Sequence, residues 1–150
     1  MPKKMSNTSK QSDKKLIIIS HESAVKHIVP LGHPERPERF VAINEIIKDQ
    51  FSHLKTFNAP QIDYETLCLV HNKNYLDKIF KLSQNKSLLK LDSDTWFGQH
   101  SLEVSLRSAG SACLGIDKIF QNYTKIAFSS MRPPGHHAEP DRAMGFCIFS

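Results

Sequence analysis

Short apolar runs alternate along the chain with longer stretches in which apolar residues return every three or four positions, a pattern of strands and helices in turn. Leu16 to Ile19 is a four-residue run with three β-branched residues, and it predicts a strand buried on both faces, as in a parallel sheet. Residues 21–30 carry no period and predict irregular chain or a partial turn. From Pro37 onward, Phe40, Ile43, Ile47 and Phe51 recur at intervals of three, four and four. That stripe predicts a helix, with Pro37 in its first turn and Glu38 at the positive end of its dipole. Residues 54–60 predict a short strand ending at Pro60, and Asp63 to Val70 and Asn74 to Leu82 predict two short helices. Leu88 to Leu91 is a candidate strand, followed by Asp92-Ser93-Asp94-Thr95, side chains that cap helices and turns. Ser101 to Gln121 is the longest helical pattern, stepping through Leu102, Leu106, Ala109, Cys113, Ile116 and Phe120. Its Gly110 and Gly115 each cost about 1 kcal/mol against alanine, a cost that close packing on a sheet offsets. Lys125 to Ser129 predicts a last strand. Such alternation argues for an α/β domain with a mainly parallel sheet flanked by helices. Sites in such sheets form at the carboxyl ends of the strands, where the loops after Ile19, Leu91 and Ser129 are expected to open.

Composition alters this picture little, with an apolar share of 39% and a charged share of 23%, ordinary for a globular domain. Charge is more informative. Of the net +5, four come from the first fifteen residues, where Lys3, Lys4, Lys10, Lys14 and Lys15 face only Asp13. Residues 1–14 therefore read as a disordered basic tail, and nucleic acid is not the expected partner. Cys68, Cys113 and Cys147 are scattered and odd in number, which fits a reducing compartment. The one apolar run near the amino terminus is too short for a signal peptide core or a membrane span, so a cytoplasmic protein is expected.

The candidate chemistry lies near the end of the sequence. Arg132-Pro133-Pro134-Gly135-His136-His137-Ala138 follows the last strand, and Met144-Gly145-Phe146-Cys147 comes soon after. Two prolines and a glycine fix a stiff turn, and the turn presents two adjacent imidazoles, the side chains best suited to pass protons near neutrality. These segments resemble the dyad motif of the zinc-dependent histone deacetylase family, which includes acetoin-utilisation-type and acetylpolyamine deacetylases. The resemblance covers most of residues 15–150 and implies an arginase–deacetylase fold. It implies hydrolysis of acetyl-lysine or acetylpolyamine amides by a metal-activated water. Carried over by residue, it makes His137 the general base and acid, with His136 tuning the electrostatics and orienting the water. It places the Gly145 carbonyl on the substrate amide and Phe146 along the acetyl-lysine methylenes. Asp94 becomes a rim residue that binds substrate backbone amides. His33 and Pro34, in His33-Pro34-Glu35-Arg36-Pro37-Glu38-Arg39, fall at the rim of the substrate tunnel, and Arg39 lines an internal channel.

The family's zinc ligands, an Asp-x-His pair and a second aspartate, come later in the chain than Gly145-Phe146-Cys147. No Asp-x-His occurs here. The resemblance thus implies the amino-terminal part of such a domain, truncated before the metal-binding strands. On that reading no zinc is expected on this chain alone, the fragment is inactive by itself, and a complementary carboxyl-terminal chain is a possible partner. A non-catalytic binding module with a basic arm is the alternative. An arginase-like hydrolase shares the fold and lacks the Pro-Gly-His-His-Ala turn, and is discounted.

Overall fold

The structure, a computed structural model, describes residues 16–150. The basic tail expected over residues 1–14 lies outside the described residues. Three parallel strands, β1 (Ile17–Ser20), β2 (Lys55–Asn58) and β5 (Ala127–Ser130), make a sheet in the order β2-β1-β5. Ile17 pairs with both Lys55 and Ala127, which puts the carboxyl ends of all three strands on one edge. Between them run α1 (Pro37–Gln50), α2 (Tyr64–Leu67), α3 (Lys73–Leu82) and α4 (Ser101–Phe120), with a 3₁₀ turn over Glu22–Lys26.

The helices divide between the two sheet faces. α4 packs closely on one. A Cβ added at Gly115 would lie 3.2 Å from the Ala127 Cβ and 3.4 Å from Ile19 Cδ1, and one at Gly110 would lie 2.2 Å from the Pro60 carbonyl oxygen. The two glycines that weaken this helix locally are therefore what lets it touch the sheet and the chain after β2. Ile17, Ile19 and Ala59 form the buried layer there, with Leu114 and Ala127 packed against them. On the opposite face, Asn44 of α1 fastens the helix to the strand ends. Its amide donates to Ser130 Oγ at 2.9 Å and its carbonyl accepts from Ser20 Oγ at 3.2 Å. No residue of α1 is buried, and Ile43 and Phe51 of its apolar stripe stay exposed.

The sequence reading needs correction at Leu88 to Leu91. Leu89–Lys90 (β3) does not enter the parallel sheet, and pairs antiparallel with Trp96–Phe97 (β4), a strand the pattern did not predict. Only a few residues separate the two segments, and a parallel return needs a crossover of roughly a dozen. The helix expected over Asp63 to Val70 is regular only over Tyr64–Leu67, capped by the Asp63 carboxylate accepting from Thr66 N. A second core, with Leu67, Leu76, Ile79, Phe97 and Leu106, takes in Ala143, Ile148 and Phe149, and so holds both ends of the Met144–Cys147 segment.

Gly110→Ala should destabilise the protein by about 1–3 kcal/mol in urea unfolding, because the added methyl meets backbone rather than a movable side chain. Gly98→Ala, whose Cβ would come no nearer than 3.5 Å to a neighbour, should stay within about 1 kcal/mol of wild type.

Candidate active site

Where β5 ends, the chain sends Arg132 inward, and this buried side chain organises the loops around it. Arg132 is 4% exposed, and its guanidinium has all five N–H groups satisfied. Nε and Nη2 donate to the two carboxylate oxygens of Glu35 at 2.8 and 2.7 Å, and Nη2 also donates to the Glu35 carbonyl at 2.9 Å. Nη1 donates to the carbonyls of Ala24 and His27 at 2.7 and 2.6 Å. A buried guanidinium is tolerable only with this degree of pairing, since an uncompensated ion costs several kcal/mol. Glu35 lies two residues after His33, so the pair clamps the His33–Arg39 loop under the dyad turn.

His27 packs against the same cluster, with Nε2 3.7 Å from Glu35 and Nδ1 hydrogen-bonded to Ser101 Oγ at 2.8 Å. Burial, reinforced by the positive charge of Arg132, pushes its pKa down to about 3. At neutral pH it is uncharged, so its approach to Glu35 is not an ion pair.

Beyond Pro133-Pro134-Gly135 the two imidazoles stand side by side, both exposed, with ring centroids 4.2 Å apart. His137 is the more confined. Its backbone N–H donates to Cys147 Sγ at 3.4 Å, and its ring lies against Gly145, where an added Cβ would come within 2.9 Å. Gly145 and Phe146 both have positive φ (56° and 72°) between the paired Met144 and Cys147. This is the signature of a tight hairpin turn of the primed type, a backbone that a phenylalanine adopts only under strain. The strain turns the Phe146 ring onto His33, edge to face at 4.8 Å, while the Phe146 N–H donates to Thr95 Oγ1 at 3.0 Å.

His33 then reaches the third loop. Its Nδ1 accepts from Glu35 N at 3.1 Å, which leaves Nε2 to donate to the Asp94 carbonyl at 2.9 Å. Asp94 Oδ1 is buried and, among the described residues, has no hydrogen-bond partner. A buried acceptor in that state carries an unmet desolvation cost.

Three loops thus bring His33, Asp94, Gly145, Phe146 and the His136–His137 pair to one place. Pro34 stands exposed beside His33. Arg39 is set apart from this group, in a cavity of about 170 Å³ behind the dyad turn that Phe40, Met131, Arg132 and Pro134 also line. Cys147 is fully buried and its thiol donates to the Gly145 carbonyl at 3.4 Å; burial raises its pKa, as expected of an inert packing thiol.

Sequence reasoning missed the supports. Glu35 and Arg132 lie in the quoted motifs, yet nothing local says that charges 97 residues apart will be buried together. Thr95 read as a cap, and instead orients Phe146. His71 and Tyr75 fasten the last residues: His71 Nε2 accepts from Ser150 N at 2.9 Å and the Tyr75 hydroxyl donates to the Ile148 carbonyl at 2.6 Å.

Among the described residues no group of three or more His, Cys, Asp or Glu side chains is placed to hold a metal ion. The donor set therefore does not fit a zinc site by itself.

Paired imidazoles and the Asp94 carboxylate thus gather beside the strand ends of a parallel α/β sheet, the edge at which sites form in sheets of this kind. The sequence model of the histone deacetylase domain matches residues 33–150. The chain is 35% identical over 121 residues to a histone deacetylase-like amidohydrolase of Pseudomonas aeruginosa, covering 79% of this chain and 32% of that protein. It is 30% identical over 148 residues to histone deacetylase 5 of Arabidopsis thaliana, covering 91% of this chain and 22% of that one. Among solved structures, the HDA15 HD domain superposes with a TM-score of 0.84 at 29% identity, over 91% of this chain and 40% of that chain. This chain belongs to the histone deacetylase family, whose members are generally zinc-dependent. It spans about a third or less of the length of these two curated relatives.

Glu35→Gln should cost about 3–5 kcal/mol in urea unfolding, because it leaves the Arg132 charge buried and uncompensated. Acid should weaken the fold before its carboxylates titrate. His27 is depressed in the native state, so its contribution is complete above its unfolded value near 6.5 and is lost as pH falls towards 3. His71, lowered by burial, acts in the same direction. Between pH 7 and 5 unfolding free energy should drop by up to about 1.4 kcal/mol per pH unit through His27, with a shallower slope in His27→Gln.

Proposed function

We propose that this chain supplies the proton-moving and substrate-facing part of a deacetylase that hydrolyses the amide of an acetylated lysine or acetylated polyamine. The observation that supports this reading best is the contact of His137 with Gly145, beside a paired His136 and within one cluster with Phe146, His33 and Asp94. Amide hydrolysis needs a proton taken from the attacking water and one delivered to the departing amine. A solvent-accessible imidazole does both near neutral pH. His137 takes that role, since it is held from two sides, and the more open His136 orients the water and tunes its neighbour.

Asp94, on the rim loop, accepts a backbone N–H of the substrate through its carboxylate, whose buried Oδ1 has no partner among the described residues and gains one when the side chain turns outward. The ring of Phe146, fixed by its strained turn and by His33, offers an apolar wall to the methylenes of the acylated side chain. The Gly145 carbonyl has one weak thiol donor and keeps a lone pair for the scissile amide. The described residues do not by themselves assemble a zinc site. On this reading the residues that hold the metal lie in the remainder of the domain, which this chain does not span. Three free thiols fit a cytoplasmic setting, and among the described residues no helix is long and apolar enough to cross a membrane.

Equilibrium dialysis with zinc and hydrolysis of an acetyl-lysine peptide and an acetylated polyamine test the proposal. The chain alone should retain no stoichiometric zinc and show no turnover. Completed by a metal-bearing partner it should turn over, and His137→Ala should then lower kcat by about 10²–10⁴-fold with little change in KM. Turnover by the chain alone with zinc, or a fully active His137→Ala variant, would contradict it.

A further inference from the structure

Positive charge is unevenly spread over residues 16–150. With four of the net +5 in the first fifteen residues, these residues balance to +1, yet 73–90 hold five lysines against one carboxylate, Asp77. Lys73, Lys78 and Lys81 stand on α3, Lys86 follows it, and Lys90 is in β3; all five are exposed. Among the described residues none of them enters an ion pair. Asp77 is occupied by the Tyr64 hydroxyl, which donates to it at 2.6 Å. Lys78 and Lys81 are like charges three apart on one helix, a spacing that weakens the helix, so the fold gains nothing from the pattern.

These charges run from α3 to the rim of the site. Two adjoining open hollows, of about 590 and 530 Å³, share Lys78; Lys73 lines the first, and Lys81 and Lys86 line the second. A third, of about 60 Å³, brings Lys78 beside Leu91 and Arg142. Leu91 follows Lys90, whose ammonium lies 5.7 Å from the Trp96 ring centroid across the β3–β4 hairpin. Asp94 is in the same hairpin, four residues beyond Lys90 and so at most about 14 Å of chain away. Arg142 adds little to the field, since Glu139 pairs with it at 2.6 Å and Asp92 and Asp141 act on it as well.

We infer that this lysine face binds the acidic flank of a polypeptide substrate, with carboxylates placed from about four residues outward of the acetylated lysine. The inference rests on the deacetylase reading above, and it chooses between the two substrates left open there. An acetylated polyamine keeps cationic amines, which these lysines repel. From Lys73 to Lys81 the helix rises about 12 Å, so the charges suit a run of carboxylates rather than one small anion. Nucleic acid fits less well, because Asp141 and Asp92 stand beside the face and the single tryptophan, Trp96, already faces Lys90. Separate acidic side chains avoid those carboxylates, and an unbroken row of phosphates does not.

The test is fluorescence anisotropy on the full chain with two labelled acetyl-lysine peptides, one carrying glutamates from the fourth residue outward on both sides and one carrying glutamines there. The glutamate peptide should bind about tenfold more tightly at low salt, and the difference should vanish near about 0.5 M salt. Lys78→Gln, Lys81→Gln and Lys90→Gln combined should erase the difference with an unchanged thermal melt. Replacing Lys3, Lys4, Lys10, Lys14 and Lys15 by Gln should leave it in place. Equal binding of the two peptides, a difference that survives the first set of changes, or one lost with the second would overturn the inference. So would acetylspermidine binding as tightly as the glutamate peptide. A single-stranded oligonucleotide that binds more tightly than the peptide, and is released by the same three substitutions, would overturn it by making nucleic acid the occupant. Hydrolysis by the completed enzyme is scored separately. Turnover indifferent to the flanking charge counts against the lysine face alone, and charge-dependent binding without turnover counts against the catalytic reading alone.

Discussion

The guanidinium of Arg132 is the group on which the site's geometry depends. Buried at the end of β5, it spends every donor on the loop before α1 and on the 3₁₀ turn, so three segments far apart in sequence share one anchor. Burying an ion pair is weak evidence for stability, because desolvation opposes the attraction. Its consequence here is register. Five directed hydrogen bonds permit one arrangement of Glu35 beneath the dyad turn, and His33, two residues earlier, is carried with it. From His33 the order passes to Asp94 through a hydrogen bond and to Phe146 through ring contact.

The dyad itself is held from the opposite side. Gly145 admits the His137 ring, Cys147 accepts the His137 N–H, and the residues after Cys147 are fixed in the second core by Tyr75 and His71. The exposed imidazoles thus stand on two rigid supports, while the surface they face is made by loops. Catalytic groups on loops positioned by a packed scaffold are the common arrangement in sheets of this kind.

Much of this was legible in the residues and some was not. β1, α1, α4 and β5 announced themselves by period and by turn residues, and came within a residue or two of their expected ends. The His136–His137 turn was legible because two prolines and a glycine leave the backbone few choices. β3 and β4 were not, since two-residue strands have no period to read. The partnership of Glu35 with Arg132 was hidden because burial of a charge is a tertiary property. The stripe on α1 was read correctly as a stripe, yet periodicity marks a face without saying that anything covers it. Phe146 at positive φ contradicts its own preference, and such contradictions concentrate where function needs a side chain in an unfavourable place.

The most direct test replaces Glu35 and Arg132 together by Leu and Met, a swap that removes both charges and is often tolerated energetically. Proton NMR of that double variant would follow the contact between the His33 and Phe146 rings, against sheet contacts such as Ile18 to Phe128 as the internal reference. The sheet contacts should persist while the His33–Phe146 contact weakens, because only the single hydrogen bonds of His33 to Asp94 and of Phe146 to Thr95 then hold the two loops in register. A His33–Phe146 contact as strong as in the wild-type chain would show that the loops find their places without the buried ion pair.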